Sequence, residues 1–226
     1  MFLLVTDTSG KHGTVALARA DERNSREAEI VESVPLQGGT FSAQLVPQIA
    51  GLLTKHQLGK TDIDAFLVVS GPGSFTGLRV GLAAIKALAE ILKKPIVPVS
   101  LLEIVAVASG VSGKVVAVME AGRGDVYFGI YEVAAGAVQT SREEILSKAE
   151  FLSLTSESSV ATSDLNLAAV AREAGLSVFV VDPPGAEMIA RFGWMKLRIG
   201  DTVSPERLEA NYMRRSDAEL FVKPSS

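Results

Sequence analysis

Two successive stretches of this 226-residue chain carry the same order of elements, and that near-duplication limits the fold more than any other feature. In the first stretch, Phe2 to Thr6 is a short apolar run, and beyond a Ser9-Gly10 turn Thr14 to Ala18 is apolar again, which predicts a β-hairpin. Glu29 to Val34 adds a third strand. Helical spacing takes over at Phe41, Leu45, Ile49, Leu52, Leu53 and His56, with Thr40 as the expected N-cap and Pro47 expected to kink or split the helix. A buried strand at Ala65 to Val69, a glycine-rich loop, a helix over 78–93, a strand at Ile96 to Val99 and a short helix over Leu101 to Ala108, capped by Ser100, complete this half. The second half starts over. Strands are expected at Lys114 to Met119, Val126 to Val133 and Ala137 to Thr140, then a helix at Glu143 to Phe151, a strand at Val160 to Ser163, a helix at Leu165 to Ala174, a strand at Val178 to Val181 and a helix over 186–197. Both halves read βββαβαβα. Aligning VTDTSGKHGTVAL with VMEAGRGDVYFGI sets Asp7 on Glu120, 113 positions later, half the length of the chain. Such an order builds mixed sheets flanked by helices, an α/β protein of two like domains, 1–110 and 111–226. The tail from Ile199 onward shows little period.

Composition removes whole classes of chemistry. With no cysteine the chain has no disulfide, thiolate zinc site, iron-sulfur cluster or cysteine nucleophile. His12 and His56 form no metal-binding pair, so no metal site is expected. Against 26 acidic residues stand 22 Lys and Arg, a net charge of −4, which argues against bulk electrostatic binding to nucleic acid or an anionic membrane. The start MFLLVTD has no basic region, and nowhere do 18 apolar residues run together. A cytoplasmic protein with no membrane partner is the expectation.

The sharpest local signal is Ser70-Gly71-Pro72-Gly73-Ser74-Phe75-Thr76-Gly77-Leu78-Arg79-Val80-Gly81, between an apolar strand and a helix. Glycine loops at helix N-termini bind phosphate because backbone N–H groups reach the anion at the positive end of the helix. This one has neither a Walker lysine nor the GxGxxG spacing. The alternative is structural: glycines for tight turns and close packing. In the helix, Leu78, Leu82, Ile85 and Leu88 suit a core, while Gly77, Gly81 and Ala84 offer a shallow surface for close approach. A helix apolar on more than one side points to a partner subunit.

Asp7-Thr8-Ser9, where the first strand turns into the hairpin, has the composition of a turn that can hold metal-bound phosphates, with Glu120 as a second carboxylate. The same residues also suit an ordinary turn that satisfies its own backbone. His12 is expected on the hairpin surface, His56 at its helix end and Trp194 in a core.

Taken together, LVTDTS, GPGSFTGLRVGLAAIKALA, PVSLLEIVA and MEAGRGDVYFGIYE resemble the TsaB/YeaZ family of bacterial tRNA threonylcarbamoyladenosine synthesis, densely over 1–133. Asn211-Tyr212-Met213-Arg214 is similar to the family's Tyr-Leu-Arg ending. The resemblance implies an actin-like, Hsp70-like pair of ribonuclease-H-like domains. It further implies a non-catalytic scaffold, with no catalytic residue of its own. In the family such a scaffold binds the catalytic homologue TsaD and works with the ATPase TsaE, and their complex transfers a threonylcarbamoyl group from an adenylate to the adenosine beside the anticodon. On this reading tRNA is met indirectly, the chain alone forms a homodimer, and ATP and Mg²⁺ belong to the complex rather than to this subunit. The expected partner surface is Phe75, Thr76, Gly77, Leu78, Arg79, Gly81, Leu82 and Ile85, with the helix over 41–56 beside it and Phe75 and Arg79 as anchors. One departure stands out: the family's Asp-Ala-Arg-Arg type turn is replaced by Glu120-Ala121-Gly122-Arg123. The alternative reading is a free-standing actin-like ATPase or phosphotransferase. A peptidase reading lacks both a metal pair and a histidine for Ser74.

Overall fold

Central strands of a sheet covered on both faces must be apolar at every position, and two segments of the N-terminal half meet that demand. Leu3, Leu4 and Val5 are fully buried in succession in β1 (Phe2–Asp7), as are Ala65 to Val69 in β4 (Ile63–Gly71). In the computed structural model, which describes residues 1–21, 23, 28–134, 137–154, 158–211 and 213, these two strands lie side by side and parallel. β2 (His12–Ala20) pairs antiparallel with β1, setting Asp7 opposite Thr14, and β3 (Ala28–Gln37) pairs antiparallel with β2. β5 (Ile96–Ser100) adds to β4 in parallel, so the sheet order is β3-β2-β1-β4-β5.

Helices α1 (Phe41–Lys55) and α2 (Phe75–Leu92) pack together on this sheet, and α3 (Leu101–Ala108) follows β5. Pro47 neither splits α1 nor ends it: the ring sits on the exposed side, where water can meet the carbonyl left without its N–H. Thr40 occupies the N-cap position of α1, yet its hydroxyl turns back to donate to Gln37 O at 3.0 Å rather than capping the helix.

The C-terminal half repeats the plan. Strands β6 (Gly113–Gly122), β7 (Asp125–Ala134) and β8 (Ala137–Ser147) form an antiparallel meander, and after α4 (Lys148–Leu154) come β9 (Ser159–Thr162), α5 (Leu165–Glu173) and β10 (Ser177–Val180). The order β10-β9-β6-β7-β8 is that of the first sheet, with β6 in the place of β1. The expected fold class is what the structure has: an α/β protein of two ribonuclease-H-like mixed sheets. The core of this half joins Val116, Val118, Val126, Phe128, Phe151, Val160, Leu167 and Ala171.

Three expectations need correction. The helix expected at Glu143 to Phe151 begins only at Lys148, because Glu143 to Ser147 extend β8 along β7. The helix after the glycine-rich loop starts three residues earlier than expected, at Phe75. The largest change concerns α6 (Ala186–Arg198), expected to close the second half. It packs across all five strands of the first sheet, and Gly193 abuts Leu67. Two compact units result, Met1–Ile104 with Pro184–Asn211, and one built on Val105–Pro183, in place of a division at 110. The tail beyond α6 belongs to the first unit as far as Asn211: Val203 N–H donates to Ile96 O at 2.8 Å, Leu208 is buried, and Asn211 N–H donates to Ser70 O at 2.8 Å.

Candidate functional site: the seat of the glycine-rich helix

β1 ends at Asp7 in a tight turn that the carboxylate itself organises, since Asp7 Oδ1 accepts from Ser9 N–H at 2.8 Å and from Ser9 Oγ at 2.6 Å. The turn then receives α2. Ser74 N–H donates to Ser9 O at 2.7 Å, Ser74 Oγ caps the helix by accepting Gly77 N–H at 3.3 Å, and the buried Thr8 hydroxyl donates to Gly77 O at 2.8 Å.

Close approach explains the glycines. A Cβ at Gly77 would lie 2.0 Å from Thr8 O, one at Gly81 2.3 Å from Thr8 Oγ1, and one at Gly73 2.5 Å from both Ser9 O and Ser9 Cβ. Across the same turn, a Cβ at Gly13 would meet Asp7 O at 2.6 Å and the Phe41 ring at 2.9 Å. Backbone of the Asp7–Ser9 turn therefore fills the space that the loop glycines open, and the Ser74 and Gly77 N–H groups are taken up within the chain. Of the two readings of the glycine-rich loop, the geometry favours packing. Asp7 is pushed above the ordinary carboxylate range by burial, opposed in part by its two bonds from Ser9.

The expected partner surface divides in two. Gly77, Leu78, Gly81, Leu82 and Ile85 are buried inside the first unit, on the side of α2 that faces the sheet and the seat, so they present no surface. Thr76 and Arg79 are exposed, Phe75 is half-buried, and the Arg79 guanidinium lies over the Phe75 ring at 3.7 Å from its centroid. Ala83 and Ala87 extend this outer face, with Ala84 half-buried beside it. On α1 the exposed residues include Ala43, Val46, Pro47 and Ala50.

Glu120 lies on β6, the counterpart of β1, but its carboxylate is engaged: Oε1 accepts from Gly122 N–H at 3.1 Å and Oε2 pairs with Lys148 Nζ at 3.0 Å. Arg123 sits at the hairpin tip with φ +60° between two glycines of positive φ. Among the described residues no three His, Asp or Glu come together as a metal-binding group, and no helix is long and apolar enough to cross a membrane. His12 is exposed, His56 pairs with Glu32 at 2.8 Å at the end of α1, and Trp194 is buried. Tyr212 and Arg214 of the family-like ending lie outside the described residues. What the sequence reading missed is the partner of Thr8. Its hydroxyl, expected to face a phosphate, is bonded to a helix carbonyl 69 residues away.

Comparison with known proteins agrees with this fold. The family model described as TsaD, tRNA N6-adenosine threonylcarbamoyltransferase, matches residues 37–182, well over half of the chain. The tRNA threonylcarbamoyladenosine biosynthesis protein TsaB of Bacillus subtilis (strain 168) is 33% identical over 141 residues, 62% of this chain and 58% of that protein. The TsaB of Haemophilus influenzae is 35% identical over 129 residues, 56% of this chain and 52% of that protein. The chain thus spans a little over half the length of the curated relatives it matches. Among solved structures, YeaZ from Pseudomonas aeruginosa superposes with a TM-score of 0.70 at 23% identity, covering 93% of this chain and 100% of the other, a likeness of fold. With the family match, the relatives and the fold in agreement, the chain belongs to the family of TsaD and TsaB/YeaZ proteins.

Proposed function

We propose that the chain is a non-catalytic subunit in the formation of threonylcarbamoyladenosine on tRNA, and that it binds a TsaD-type catalytic partner through the outer face of α2. The observation that carries this reading is the two-sidedness of α2. Its inner side is locked on the Asp7–Ser9 turn, while its outer side offers Thr76, Ala83 and Ala87 as a low surface next to the Phe75–Arg79 stack. Small residues let a second helix come close, and a stacked aromatic and arginine supply the kind of anchor that carries interface energy. In the absence of that partner the same face pairs two copies of the chain, so self-association and partner binding compete. The reaction centre, the ATP with its Mg²⁺, and the contacts to tRNA reside on TsaD and on a TsaE-type ATPase, in the cytoplasm.

The test is co-elution of the pure chain with the TsaD of the same organism, repeated with Arg79→Glu. The expected result is a stable complex that the charge reversal weakens, with circular dichroism unchanged. Binding and threonylcarbamoyl transfer at the unaltered level with Arg79→Glu would remove α2 as the interface. Steady ATP turnover by the pure chain that vanishes on Asp7→Ala would favour the phosphotransferase reading instead.

A further inference from the structure

We infer that Thr8 is a positioning residue for the partner surface: its hydroxyl fixes where α2 lies along and around its own axis, and so where Phe75 and Arg79 stand. This rests on the reading of the outer face of α2 as the partner surface. Helices usually hold their register against a neighbour by interlocking side-chain ridges. Against the Asp7–Ser9 turn α2 has none, because the positions that meet it are Gly77 and Gly81. A smooth contact of that kind resists separation but not sliding or rotation. Leu78, Leu82 and Ile85 interlock with the sheet along the helix, while at the end that carries Phe75 and Arg79 register against the turn comes from two directional bonds, Thr8 Oγ1 to Gly77 O at 2.8 Å and Ser74 N–H to Ser9 O at 2.7 Å. Gly81 is the complement of the first bond, since a Cβ there would stand 2.3 Å from the hydroxyl oxygen.

The arrangement separates orientation from stability. Gly77 O also accepts the ordinary helical bond from Gly81 N–H, so removing the Thr8 hydroxyl leaves no buried carbonyl without a donor. Fold stability should fall little, whereas partner affinity, which depends on the placement of Phe75 and Arg79, should fall more.

Titration calorimetry against the TsaD of the same organism tests this with Thr8→Val, which keeps the shape and loses the donor, and Thr8→Ser, which keeps the donor. Arg79→Glu reports on the surface itself. Gly193→Ala, which strains α6 against Leu67 away from the seat, controls for a general loss of stability. The expected result is roughly tenfold weaker binding for Thr8→Val. Thr8→Ser should bind close to the parent, and Gly193→Ala should bind as the parent although it melts lower. If Arg79→Glu weakens binding and Thr8→Val does not, the positioning role is overturned and the surface stands. If Arg79→Glu binds as the parent, the surface itself is wrong. If Thr8→Val fails to fold, or loses affinity only as far as Gly193→Ala does, Thr8 serves the fold alone and the inference falls.

Discussion

Lys196 of α6 reaches Glu103 of α3 at 3.2 Å, with both side chains largely buried, and it is this contact that ties a late helix to an early one. Lys196 also pairs with Asp201 at 3.1 Å and lies 5.7 Å from the centroid of the Phe192 ring, while Glu103 accepts from Ser100 N–H at 3.4 Å. Removing one member of such a pair strands the other in a site withdrawn from water. Lys196→Ala should therefore lower stability by on the order of 3 kcal/mol, measured by urea unfolding. The double substitution Lys196→Met with Glu103→Leu should recover most of that loss, because the desolvation cost of both charges disappears together.

Asp7 gives a pH dependence with a definite sign. Burial raises its pKa in the folded protein above the value of 3.8 of a free carboxyl group, so the folded state binds the proton more tightly than the unfolded one. The stability this group supplies is present in full below 3.8 and is lost as pH rises through the folded value. Asp7→Asn keeps an oxygen to accept from Ser9 and carries no charge. It should melt at a higher temperature than the parent at pH 7, with the difference shrinking as the pH is lowered toward 4. A difference that grows on acidification would show that the bonds from Ser9 outweigh burial.

Glycine-to-alanine substitutions should split by site rather than follow helix propensity. Gly51 lies on the exposed side of α1 with nothing within 4 Å of the space a Cβ would fill, so Gly51→Ala should stabilise by roughly 0.5–1 kcal/mol. Gly77→Ala should destabilise despite the same propensity gain, because the new methyl meets the Thr8 carbonyl at 2.0 Å, and backbone cannot step aside. Gly193→Ala should fall between them, since the obstacle is the flexible end of Leu67 at 2.7 Å. Thermal melts of the three variants check the order.

How far each of these features could be read from the sequence follows from the range of the interaction behind it. The central strands declared themselves through unbroken apolar runs such as Ala65 to Val69, and the repeat of element order placed β6 in register with β1. Glu143 to Ser147 misled because Glu143-Glu144-Ile145-Leu146 suits a helix, whereas pairing with β7, including the bond from the Tyr131 hydroxyl to Glu143, holds it as a strand. A local signal for the true helix start was present. Ser147 and Glu150 form a reciprocal cap, with Ser147 N–H donating to Glu150 Oε2 at 2.9 Å and Glu150 N–H to Ser147 Oγ at 3.2 Å. The early start of α2 was likewise readable in Ser74 as an N-cap three residues before Gly77. Nothing local, by contrast, tells which of two similar sheets α6 should cover, or that the Thr8 hydroxyl would find Gly77 O. Glycines chosen for close approach and glycines chosen for an anion look alike until the chain that approaches them is known.

The return of Pro184–Asn211 to the first unit sets the order in which a nascent chain can finish its parts. Strands β1 to β5 emerge from the ribosome early, but the sheet they form waits for α6, and until then the part that Gly193 will cover, Leu67 included, lacks that cover. The second sheet, β6 to β10, and its helices α4 and α5 all lie within Val105–Pro183, so they are made while the earlier sheet is still open. A message truncated after Pro183 would thus carry every strand of the later sheet and lack α6 of the first, so that the sheet synthesised first is the one left uncovered.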